Sequence, residues 1–386
     1  MAKLRVKLKQ HTPLIHFQAY QEGATLRASE LKPKLDRFLI EEVLKDFDVY
    51  KKLLLGYKSG KTEQDYRAKK SFDYKVRILA KSQNEIDKPH NSLYFGNMGK
   101  LGQPIQTVKH REEIWLDFFS LNHTKIETQQ STKNIMEIIA ENIDNFLAVT
   151  NFGTRQSKGF GSFFSWDKEE QYISILKKVR PQFVYIEYDH KNFKTMMDHI
   201  AVIYPLMKSG LNFPENKEKH QEASYHRSFL FNYMNARGIG NEKRFIKEKF
   251  FQPPIVDDGN EKQYVRAMLG ACEGINFRAA KKNISYKNTE IQRFRSPITF
   301  KIVGKYLALV PENMPPGIFS KVFSFSDGSH TENISTPDRF DLPKFLFAFA
   351  DYFNDELETT EANNRFENEL RRAKQQSIVK VGDNNG

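Results

Sequence analysis

An arginine and a lysine set among glycines can hold a phosphate, and this chain has one such run: Asn151 to Trp166, NFGTRQSKGFGSFFSW. Glycine lets backbone N–H groups come close to a ligand and tolerates positive φ. Gly153, Gly159 and Gly161 surround Arg155 and Lys158, which bring the charge. From Phe160 onward the segment FGSFFSW alternates as a strand does. A basic glycine loop on the lip of a sheet, with aromatics behind it, suits the clamping of an RNA backbone. The competing reading is a tight helix-to-strand connection with two solvated cations, because short loops of this composition are common.

Acid–base chemistry has thinner support. Metal-independent RNA cleavage needs a group to deprotonate the 2′-hydroxyl and a cation for the phosphorane. His11, His16 and Tyr20 follow the first strand, and His16 with Lys32 or Arg27 fits that requirement. The favoured reading is that all three are ordinary loop residues, since nothing in the sequence fixes their geometry. There is no P-loop, HExxH, paired CxxC, GxSxG or His-Asp dipeptide. The ten histidines are scattered at spacings that suit no metal, so neither metal nor cofactor is expected. The single cysteine, Cys272, excludes an intrachain disulfide and reads as a small buried residue rather than a nucleophile.

Basic residues are more telling as a set. Arg27, Lys32 and Lys34 cluster at the start of a helix, where free N–H groups already favour anions. Arg155 and Lys158 lie in the glycine loop, and Arg293 and Arg295 lead into a strand. Each cluster alone is more often a solvated face. Together, in a chain of net charge +12 and pI of about 9.3, they point to a polyanion. The N-terminus lacks an apolar signal segment, no run is apolar enough to span a membrane, and mean hydropathy is -0.63. A soluble cytoplasmic protein without a membrane partner is expected.

The elements that must position these residues can be read from periodicity. Leu4, Val6 and Leu8 alternate with Arg5, Lys7 and Lys9, an opening strand with one apolar and one basic face. Ser29 to Phe47 is a helix with Pro33 in its first turn. Strands follow at Phe72 to Ile78 and Ile114 to Phe118. A second helix, capped by Ser131 or Thr132, carries Ile135, Ile138, Ile139, Ile143, Phe146 and Leu147 on one stripe. The glycine loop and a strand from Phe160 to Trp166 complete the order strand, helix, strand, strand, helix, strand, which is ferredoxin-like. The pattern restarts with a strand at Phe183 to Tyr188, a helix from Asn192 to Lys208, a hairpin turning at Gly304-Lys305, and a helix from Leu342 to Phe353. The expectation is an α+β chain: residues 1–170 ending in the glycine loop and strand, 171–355 as a second domain, and 356–386 as a polar tail.

Taken with that position, GTRQSKGFGSF (Gly153 to Phe163) resembles the glycine-rich loop of the RAMP proteins, the repeat-associated family of CRISPR RNA-binding subunits. Its pattern is of the G-x-R-x-x-x-G-F-G type. The segment HTPLIHFQ…TLRASELKPKLDRF, His11 to Phe38, resembles the opening of the large two-domain RAMP subunit of Cmr (type III-B) effector complexes. RFRSPITFK, Arg293 to Lys301, resembles an element of second RAMP domains. The resemblance implies two ferredoxin-like (RRM-like) RAMP domains in tandem, with loop and helical insertions. It implies guide RNA and other RAMP subunits as partners, the glycine loop and first helix holding guide backbone, and no nuclease role. One alternative is a RAMP endoribonuclease that processes repeat RNA with His11 or His16. Such enzymes usually carry the glycine loop near the C-terminus, whereas here it ends the first repeat. A stand-alone RNA-binding protein is the third reading.

Overall fold

The apolar–basic alternation of the N-terminus folds as β1 (Ala2–Gln10). In the computed structural model the described residues are 2–15, 25–66, 70–81, 107–108, 113–128, 131–251, 259–271, 275–277, 282–288, 291 and 294–382. The chain is α+β and forms two compact units. The first comprises Met1–Pro181, Asp189–Phe193 and Phe300–Leu307; the second comprises Gln182–Tyr188, Lys194–Thr299 and Ala308–Gly386. Among the described residues no helix is long and apolar enough to cross a membrane.

In the first unit β1 is followed by α1 (Ala28–Phe38), β2 (Lys75–Lys81), β3 (Glu113–Ser120), α2 (Ile135–Val149), β4 (Phe163–Ser165) and α3 (Tyr172–Val179). The sheet order is β2-β3-β1-β4, with every neighbouring pair antiparallel. Leu8, Ile114, Leu116 and Phe118 are buried, and α1 and α2 pack on the sheet with Leu31, Leu35, Ile138, Ile139, Phe146 and Leu147 buried. Each such side chain contributes about 2 kcal/mol relative to exposure.

Several boundaries differ from the sequence reading. Helix α1 starts at Ala28, so Pro33 is its sixth residue, beyond the first turn, and α1 runs into a π-helical turn at Leu39–Leu44. The cap of α2 is Asn134, not Ser131 or Thr132. Its side chain accepts from the N–H groups of Met136 and Glu137, and Glu137 returns a bond to the Asn134 N–H. The fourth strand is only Phe163–Ser165, leaving Phe160 and Gly161 in the loop.

Farther along the chain come β5 (Phe183–Glu187), α4 (Phe193–Lys208), α5 (Phe229–Asn235), α6 (Glu242–Phe251), β6 (Ile298–Val303), β7 (Tyr306–Pro311) and α7 (Leu342–Asp351). The hairpin tip within β6–β7, Phe300–Leu307, groups with the first unit. Pro205 does not break α4. The stretch read as a polar tail, part helix, also carries a strand near its end. It supplies α8 (Arg365–Lys374) and β8 (Ile378–Val381), which pairs antiparallel with β5. The sheet order is β6-β7-β5-β8. By chain position, both sheets run second, third, first, fourth.

Candidate nucleic-acid interface

Asn151 and Ser162 form an antiparallel bridge, and the Phe152 N–H donates to the Gly161 carbonyl at 2.9 Å. Together they close the glycine run into a loop with a narrow neck. The neck demands glycine: at Gly161, φ +67°, a Cβ would lie 1.9 Å from the Phe152 carbonyl oxygen. At Gly153, φ +79°, it would lie 2.5 Å from the Ile15 carbonyl oxygen. Close packing, rather than ligand approach, therefore sets these two glycines.

The loop is fastened from both sides within the first unit. The Gly153 N–H donates to Glu30 Oε1 at 2.8 Å and the Gly161 N–H to the Pro13 carbonyl at 2.8 Å. Thr12 Oγ1 donates to the Gly159 carbonyl at 2.7 Å and accepts from the Ser162 N–H at 2.9 Å. The Asn151 Nδ2 donates to the Gln156 and Phe300 carbonyls at 2.7 and 2.8 Å. From α1, Lys34 Nζ reaches Glu30 Oε1 (2.8 Å), the Asn151 carbonyl (2.8 Å) and Gln156 Oε1 (2.6 Å). The N–H groups of Gly153 and Gly161 are thus already bonded to protein.

At the tip Arg155 takes φ +55°, a left-handed conformation uncommon for a non-glycine residue, and its carbonyl accepts from the Lys158 N–H at 2.8 Å. Arg155 is half-buried, and that burial pulls its guanidinium below the usual range while leaving it a cation. The Lys158 ammonium nitrogen is shielded from solvent. Phe160 is 4% exposed and sits in the core, so it presents no ring to a base.

The hairpin tip lies against this loop. Lys158 bridges Phe300 in parallel fashion, and Ser162 Oγ donates to the Ile302 carbonyl at 2.5 Å. Lys301 is fully buried, and its Nζ donates to the carbonyls of Thr150 (2.7 Å) and Phe163 (2.9 Å). It ties the C-terminal end of α2 to β4. Burial, and secondarily Lys34, push its ammonium well below the usual lysine range. Sequence reading missed Lys301, because the alternation of Ile298, Phe300 and Ile302 puts it on the apparent solvent face; every residue of β6 is buried.

The other expected residues scatter. Lys32 is held by Asp36 (2.6 Å), Ser71 (2.7 Å) and the Phe72 carbonyl (3.0 Å), away from the loop. Arg27 occupies the N-cap position of α1. In the second unit Arg295 is exposed and paired with Glu312. His11 is 7% exposed, and its Nδ1 accepts from the Gly304 N–H at 3.1 Å. His16, Tyr20, Cys272 and Arg293 lie outside the described residues. Among the described residues no three His, Cys, Asp or Glu side chains form a group able to hold a metal ion.

A basic glycine loop leading into the last strand of one four-stranded sheet, in a chain with a second sheet of the same strand order, matches the RAMP resemblance, and comparison with known families bears out the family. The chain belongs to the Cmr1 family of type III-B RAMP proteins: the Cmr1 N-terminal domain matches residues 1–211 and the Cmr1 C-terminal domain residues 225–373. Among solved structures it is similar to the crystal structure of Cmr1 from Pyrococcus furiosus (apo form). Identity is 10% and the TM-score 0.40, over 83% of this chain and 92% of that one. No curated protein sequence matches the chain.

Proposed function

We propose that this protein is a non-catalytic guide-RNA-binding subunit of a type III-B CRISPR effector. It works in the cytoplasm beside other RAMP subunits and is built as two ferredoxin-like domains in tandem. The strand order second, third, first, fourth, found in both sheets, supports the tandem reading. The observation that carries the RNA role is the locked glycine loop with Arg155 at its tip. A loop pinned at its neck by Glu30, Lys34, Thr12 and Asn151 loses little freedom when it takes a phosphate. The burial of His11, with Nδ1 engaged by the Gly304 N–H, speaks against its use as a base on a bound ribose.

The test is a binding titration of full-length protein with guide RNA across a salt series. Arg155→Ala with Lys158→Ala weakens binding and lowers the slope of log affinity against log salt, because lost phosphate contacts release fewer counterions. An unchanged slope removes the loop from the binding surface. Incubation with repeat RNA without metal completes it. Cleavage that disappears in His11→Ala or His16→Ala would sink the non-catalytic reading.

A further inference from the structure

The face of the first sheet that α1 and α2 leave uncovered is a grid of cations and aromatic rings. Register puts Lys3, Phe119 and Lys75 in one row across β1, β3 and β2. Arg5, Asp117 and Arg77 form the next row, and Lys7, Trp115 and Leu79 the third. Paired residues of adjacent antiparallel strands share a face, so each row projects together. Just after β4, the Trp166 N–H donates to the Lys7 carbonyl at 2.9 Å, bringing a second indole alongside. Lys7 Nζ stands 3.7 Å from the centroid of Trp166 and 5.5 Å from that of Trp115, and the Arg5 guanidinium 5.6 Å from Trp115.

The charge on this face is unbalanced. Among the described side chains of these rows, Lys3, Arg5, Lys7, Lys75 and Arg77 meet only Asp117 and, from the strand end, Glu113. Asp117 accepts from Arg5 Nε (2.6 Å) and Nη2 (2.9 Å) and from Arg77 Nη2 (3.0 Å). The two guanidinium side chains stay 58% and 64% exposed. Each guanidinium has about five N–H donors, so most are left for an incoming acceptor. A cleft of about 500 Å3 opens at this end of the sheet, lined by Lys3, Arg5, Arg77, Asp117 and Phe119 of this face and by Leu4 and Phe118 of the other. That volume falls within the usual range for small organic ligands.

We propose that this face is a second RNA-binding surface, distinct from the glycine loop, and that its occupant is single-stranded RNA. Phosphates take Arg5, Arg77, Lys3 and Lys75, while unpaired bases stack on Trp115, Trp166 and Phe119. An acidic protein segment would satisfy the charges but has no use for two indoles. A duplex would keep its base faces stacked inside and unable to reach them. A single strand offers both chemistries at once. Arg5, which stands over Trp115, is exposed, and an exposed cation–π contact is weak enough to be exchanged for a base.

The chain has two tryptophans, and both lie on this face, so intrinsic fluorescence reports on it directly. Full-length protein is titrated with oligouridylate, with a blunt RNA duplex and with polyglutamate. The proposal expects oligouridylate alone to quench emission strongly. Arg5→Gln with Arg77→Gln weakens that response more than about tenfold at 0.1 M salt and lowers the salt slope by about 1.4. Should that variant unfold by circular dichroism, Lys3→Gln with Lys75→Gln carries the same expectation. The quench survives Arg155→Ala, which separates this surface from the glycine loop. RNA binding without a change in emission overturns the proposal and leaves the loop reading standing. Equal quenching by polyglutamate or duplex, or an undiminished response in the arginine variant, overturns it too.

Discussion

At Arg155 the chain holds a long side chain in a conformation that glycine adopts freely. Relief of that strain is worth about 1 kcal/mol. Arg155→Gly is therefore expected to weaken RNA binding about tenfold while keeping or raising the thermal midpoint. Affinity and melting measured on the same protein separate charge from fold. Lys158→Ala weakens binding less, since that ammonium is shielded. A second residue governs acid stability. His199 is buried, its Nδ1 lies 2.8 Å from the Tyr188 hydroxyl, and burial, then Arg372, hold its pKa at about 4 against an ordinary 6.5. The unfolded chain takes up this proton below pH 6.5 and the folded chain does not. Stability is therefore full above 6.5 and falls as pH drops towards 4, by up to about 3 kcal/mol. His199→Gln flattens that fall, as urea midpoints at pH 7 and pH 4.5 would show.

Among the elements, β1 to β4 and their two helices were legible because long periodic stripes override local ambiguity. The cap of α2 is ambiguous in sequence because Ser131 and Thr132 are good cap residues too, although Asn134 and Glu137 stand three apart, the spacing of a capping box, and Asn134 directly precedes the helix. The strand Ile378–Val381 was missed because its residues alternate too briefly to be heard in a polar stretch, and only pairing with β5 makes it a strand. The glycine loop was recognisable from composition, but its fastenings were not. Thr12, Glu30, Lys34 and the carbonyl of Phe300 are distant in sequence, and nothing local marks them as partners. Lys301 is the extreme case. Lys301→Met keeps the bulk but strips two carbonyls of their donor, and is expected to destabilise by about 2 kcal/mol or more. A lowered denaturation midpoint at unchanged m-value would show it.

On the scale of the whole molecule, neither compact unit is continuous in sequence. The family match to the N-terminal domain ends at residue 211, whereas the first unit also takes in Phe300–Leu307. A fragment of residues 1–211 leaves the Thr150 and Phe163 carbonyls, Ser162 Oγ and His11 Nδ1 without the partners they have here. It is expected to melt at lower temperature than the first unit in the full chain, with faster amide exchange in 150–163. Protection equal to that of the full chain would show the hairpin tip to be dispensable. The same geometry bears on biosynthesis. A ribosome extends the chain at roughly 5–20 residues per second, and N-terminal domains commonly fold as they emerge. Here the glycine loop and α2 leave the exit tunnel long before Lys301 exists. The first unit must wait, partly closed, for a late-arriving lysine. Translation speed between the glycine loop and the hairpin therefore sets how long that unfinished surface is open to chaperones, to RNA or to another chain.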